Sequence, residues 1–69
     1  MFLVIRHFIG TEQNSEVRFY VSTQEEFDYT WTHIDHGCNT LTVMCYCDTE
    51  EKAKEIVHAL DFVEYQVFE

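Results

Sequence analysis

Strict two-residue alternation in two separate stretches constrains the fold of this chain more than any other feature. Val17, Phe19 and Val21 alternate with Arg18 and Tyr20. Leu41, Val43, Cys45 and Cys47 alternate with Thr40, Thr42, Met44 and Tyr46. Successive side chains of a strand point to opposite faces, so both runs read as strands with one face buried. Residues 2–9 are apolar apart from Arg6 and His7, and the run ends at Gly10. They read as a further strand, hairpinned to the next through GTEQNSE, where Gly10 and Asn14 tolerate positive φ.

Two helices fit between these strands. Ser22 and Thr23 precede Glu25 and Glu26 at capping-box spacing. Phe27, Trp31 and Ile34 then share one helical face, and Gly37 is placed to cap the C-terminus. Asp48-Thr49-Glu50-Glu51 starts a second helix, with an apolar stripe of Ala53, Ile56, Val57 and Leu60. Phe62 to Phe68 alternates again and reads as a last strand. The expected architecture is one compact α+β domain over residues 1–69, ordered β-β-α-β-α-β. Right-handed crossovers would place both helices on one face of a four-stranded mixed sheet and leave the other face open.

Charge narrows the function. Thirteen acidic against four basic residues give a formal charge of −9. Nucleic-acid and anionic-membrane binders need surplus Lys and Arg, so neither partner is expected. No apolar run approaches the roughly 18 residues of a membrane-spanning helix. Three cysteines cannot all pair within one chain, and Cys45 and Cys47 are poorly placed for a mutual disulfide. Reduced thiols and a cytoplasmic location are the expectation.

Chemistry-bearing residues are sparse. His33, His36, Cys38, Cys45 and Cys47 are zinc-type ligands, but His-x2-His-x-Cys-x6-Cys-x-Cys matches no standard knuckle. Cys45 and Cys47 read as small core residues, the histidines as residues at a helix end, and no metal is expected. Cys38 with His36 or His33 and Asp35 makes a poor nucleophile, since acidic surroundings favour the protonated thiol. Gly10 and Gly37 cannot build a phosphate-binding loop, so no cofactor and no enzymatic activity are expected. His7 shares a face with Leu3, Ile5 and Ile9 and reads as packed, whereas His58 reads as solvated.

The acidic surface remains. Glu25, Asp28 and Asp35 fall on the outside of the first helix, Glu51 and Glu55 on the outside of the second. With Tyr29 and Tyr46 they form the expected contact set for a basic protein partner, a nucleic-acid-processing enzyme above all. In composition the chain is similar to small acidic inhibitors that phages and mobile elements encode against defence nucleases such as CRISPR effectors and restriction enzymes. That likeness matches no motif and implies no site residue. The expected function is a non-enzymatic inhibitor occupying a basic groove. The alternatives are a homodimeric ligand-sensing or accessory domain, with open sheet faces meeting, and a small His/Cys metal module.

Overall fold

A computed structural model describes residues 1–10 and 14–68, with side chains placed as far as residue 60. The elements are β1 (Phe2–Gly10), β2 (Ser15–Thr23), α1 (Gln24–His33), β3 (Asn39–Cys47) and α2 (Glu50–Phe68). Part of the expected hairpin turn, residues 11–13, lies outside the described residues. The fold is α+β: a three-stranded sheet in the order β2-β1-β3 with two helices.

β1 pairs antiparallel with both neighbours, so the sheet is antiparallel rather than mixed. β2 and β3 therefore run in the same direction on either side of β1, and α1 carries the chain across from one edge to the other. The expected fourth strand is helical instead: Phe62–Phe68 continues α2. Ile56, Leu60, Val63 and Val67 are spaced by four, three and four residues, so this segment also fits a helical period. The chain has no proline, and neither of its glycines follows residue 37, so nothing stops the helix.

The helices do not share a face. Leu3, Ile5 and Leu41 are buried together with Phe27 and Ile34 packed on them, from α1 and its C-terminal end. Val4, Cys47 and Ala53 form a second cluster with Ile56, Val57 and Leu60 of α2. Leu3 and Val4 are adjacent in a strand and point to opposite faces, so α1 and α2 lie on opposite sides of the sheet. The molecule measures 37 × 33 × 11 Å. The shortest dimension is about the width of three strands spaced ~4.8 Å apart, as expected with helices above and below. There is no helix-free face of the kind the four-stranded arrangement would leave.

A β-bulge divides the apolar residues of β3 between the two layers. Val4 pairs with Cys45 but Ile5 pairs with Val43, which leaves Met44 as the extra residue. An extra residue reverses the inward-outward alternation beyond it. Leu41 and Val43 therefore join the α1 layer, while Cys45 and Cys47 join the α2 layer. The four were expected on one side.

The helix starts follow the sequence closely. Thr23 Oγ1 accepts the Glu26 N–H at 3.1 Å, and the Glu26 carboxylate accepts the Thr23 N–H at 2.9 Å. Thr49 Oγ1 accepts the Lys52 N–H at 3.2 Å at the start of α2. The α1 terminus differs from expectation. Ile34, in extended conformation, is the C-cap, and no described glycine has positive φ. His33 and His36 donate ring N–H groups to the Tyr29 and Trp31 carbonyls, each at 2.8 Å, and the Trp31 oxygen is one that a left-handed glycine cap would otherwise serve.

Leu3→Ala should lower stability by about 2–5 kcal/mol, a large share of what a small domain has, readable in urea titration. The capping box gives a second expectation. Accepting the Thr23 N–H holds the Glu26 carboxyl below its ordinary value of 4.5. Its contribution is complete above that ordinary value and is lost as pH falls through the lowered one. Melting curves between about pH 2 and 6 should therefore be less acid-sensitive in Glu26→Ala than in the parent, and Thr23→Ala should cost about 1 kcal/mol.

Candidate partner-binding surface

α1 is held to the sheet by few side chains. None of its residues is fully buried, and its packing on the core comes from Phe27 with Ile34 just beyond the helix. Trp31, expected inward, is instead 48% exposed, and Tyr29 is 66% exposed. These rings are ordered by one another. Phe27 and Trp31 stack at 6.1 Å, Trp31 meets His36 edge-on at 4.5 Å, and Tyr29 stacks on His33 at 4.1 Å. Large aromatics held in place outside the core are the anchors that binding surfaces use, because little side-chain freedom is lost on docking.

Glu25, Glu26 and Asp28 accompany them on α1, with His33 in the last turn. The four Lys and Arg residues are Arg6, Arg18, Lys52 and Lys54, and none lies on α1. Arg18 is paired with Glu16 at 2.9 Å and Lys54 with Glu50 at 3.0 Å. Glu25, Glu26, Tyr29, Thr30 and Thr23 line a solvent-open depression of about 430 Å³ beside the helix N-terminus. Asp28 is exposed one turn on and accepts the Gln24 amide at 2.9 Å.

The other expected contact residues part company with these. Tyr46, 60% exposed, and Glu55 line a second depression of about 370 Å³ with Cys47, Asp48, Lys52 and Ile56. Glu51 is exposed on the first turn of α2. Glu51 and Glu55 belong with α2, across the sheet from Glu25, Asp28 and Tyr29, while Tyr46 sits opposite Leu3 between the α2-facing Cys45 and Cys47, so the seven residues do not make one row. Asp35 is engaged locally. Its carboxylate accepts the Gly37 N–H at 2.9 Å and the Cys38 thiol at 3.5 Å. Its carbonyl accepts the Cys38 and Asn39 N–H groups at 3.1 and 3.0 Å. It shapes the turn into β3.

Asp35 also pushes the Cys38 thiol above its ordinary value, through the hydrogen bond and then through charge. Burial does the same for Cys45, reinforced by its contact with Cys47. All three cysteines are free thiols. The five residues weighed as zinc ligands are not assembled: His33, His36 and Cys38 surround the α1 terminus, while Cys45 and Cys47 face α2. Among the described residues, no three metal-type side chains come together. Among the same residues, no helix is long and apolar enough to cross a membrane.

The sequence gives no hint of a polar chain that links all three strands. Tyr20 Oη lies 3.2 Å from His7 Nδ1, and His7 Nε2 lies 2.7 Å from Asn39 Oδ1. Asn39 Nδ2 donates to the Asp35 carbonyl at 2.9 Å. A carbonyl only accepts, so the amide orientation is fixed and Oδ1 faces the imidazole. The Nε2 atom of His7 must then carry a proton, and Nδ1 is the atom that meets the Tyr20 hydroxyl. Burial raises the Tyr20 phenol above its ordinary value, which keeps it a donor. Both imidazole nitrogens are committed, so the arrangement ties the far end of the sheet together.

Asn39→Ala should leave the half-buried His7 Nε2–H without its acceptor and cost about 1–3 kcal/mol in chemical denaturation. Tyr20→Phe should cost less, because an acceptor left at the sheet surface is more readily served by water. Comparison of the chain with protein-family models, curated proteins and solved structures finds no match.

Proposed function

We propose that the protein is a non-enzymatic binding module that docks α1 into a basic groove on another protein. The supporting observation is Tyr29 and Trp31 standing in solvent on a helix that carries Glu25, Glu26 and Asp28 and no Lys or Arg. The aromatic rings supply contact area that excludes water, and the carboxylates supply the field that steers a positive partner. Grooves of that sign occur on proteins that handle nucleic acid, where phosphate is the natural occupant. Inhibition by occupying such a groove is the activity this reading implies, with a host defence nuclease as the finer form of the proposal. Glu51 and Glu55 contribute the long-range field rather than direct contacts.

Capture of partners from a bacterial lysate on the tagged protein tests the reading, at about 50 and 500 mM salt and with excess duplex DNA. The expected partner is basic and is displaced by DNA, with retention at least ~10-fold lower at high salt. Trp31→Ala should weaken capture by about 10-fold or more, and Glu25→Gln/Asp28→Asn should flatten the salt dependence. A neutral or acidic partner retained equally at both salts, and indifferent to Trp31, would overturn the proposal.

A further inference from the structure

We infer that pH gates docking through α1: His33 and His36 charge as the medium acidifies and cancel part of the field that draws a basic groove. Such regulation rests on the groove-docking reading. Each exposed anchor carries its own imidazole. His33 stacks on Tyr29 with ring centroids 4.1 Å apart, and its Nδ1 donates to the Tyr29 carbonyl at 2.8 Å. His36 meets Trp31 edge-on at 4.5 Å, and its Nε2 donates to the Trp31 carbonyl at 2.8 Å. A carbonyl only accepts, so those two nitrogens hold the protons of the neutral rings. The opposite nitrogens, Nε2 of His33 and Nδ1 of His36, make no hydrogen bond among the described residues. Both residues are exposed. Protonation there breaks no bond already made, and it sets positive charge at the C-terminal end of a helix, where it is favoured.

The surrounding charge gives the sign. α1 carries Glu25, Glu26 and Asp28, and the turn after it carries Asp35 and Cys38. β2, on which α1 packs, turns Glu16, Arg18 and Tyr20 to the same side, with Glu16 and Arg18 bound to each other. β1 adds His7, whose two nitrogens meet Tyr20 and Asn39. Four carboxylates, Glu25, Glu26, Asp28 and Asp35, thus stand on or just beyond α1, and two imidazolium charges offset half of them. Histidine is the side chain that gains charge between about pH 8 and 5, where carboxylates keep theirs. A charged imidazole must also lose water if Tyr29 or Trp31 is to enter a groove, and a basic groove offers it only like charge. Both effects act in one direction: acid releases the partner.

The chain has a single tryptophan, so its emission reports the Trp31–His36 contact directly. An imidazolium quenches a neighbouring indole far more than a neutral imidazole does. Emission should fall between about pH 8 and 5.5, and His36→Gln should hold it level, with circular dichroism unchanged across the range. Binding is read with a labelled oligo-arginine peptide standing for the groove, at about 50 mM salt. The unsubstituted chain should bind at least ~5-fold more weakly at about pH 5.5 than at about pH 8. His33→Gln/His36→Gln, compared with itself at the two pH values, should change by less than ~2-fold. Equal affinity at both pH values, a loss that persists in the double variant, or emission indifferent to His36 would each overturn the gate and leave the docking reading standing. No binding at about pH 8 would instead overturn the docking reading, and the gate with it.

Discussion

Burial of β1 on both faces is the constraint on which the rest of the molecule depends. Leu3 and Ile5 point into the α1 layer and Val4 into the α2 layer, all three at 1% exposure or less. A strand can be covered on both sides only if it is central and if something packs above and below it. Both conditions follow from the short apolar run at its start. β2 and β3 flank it, and each helix supplies a lid for one of its faces. With so little else buried, these side chains anchor two small clusters that would not hold separately in a chain of this size.

The bulge at Met44 makes the two-layer arrangement workable. A regular β3 would send Leu41, Val43, Cys45 and Cys47 to one side and leave the other layer without a contribution from this strand. One extra residue shares them out, with the larger aliphatics under α1 and the cysteines under α2. The two thiols are thereby explained by packing beside Ala53 and Val4 rather than by ligand chemistry.

Placing the helices on opposite faces also reshapes the functional reading. The acids of α1 and those of α2 address different directions. The α1 side differs in kind, since its rings are exposed yet mutually stacked and the helix carries no Lys or Arg. Asp35, by contrast, is consumed in fixing the turn that delivers Asn39 to His7.

The sequence by itself determined the elements whose signals are local. Alternation marked β2 and β3, the Thr23–Glu26 spacing marked the start of α1, and Thr49 marked the start of α2, because neighbouring residues carry those interactions. The acidity of the outer helix faces was legible for the same reason. Tertiary structure alone decided what depends on distant partners. Phe62–Phe68 fits both a strand and a helical period, and its helical state continues α2. Trp31 matched an inward stripe, yet a helix anchored through Phe27 and Ile34 left it half in solvent. The bulge arises between β1 and β3, and the Tyr20–His7–Asn39 chain joins residues 13 and 32 positions apart. Neither has a local signature, because each exists only once three strands lie side by side.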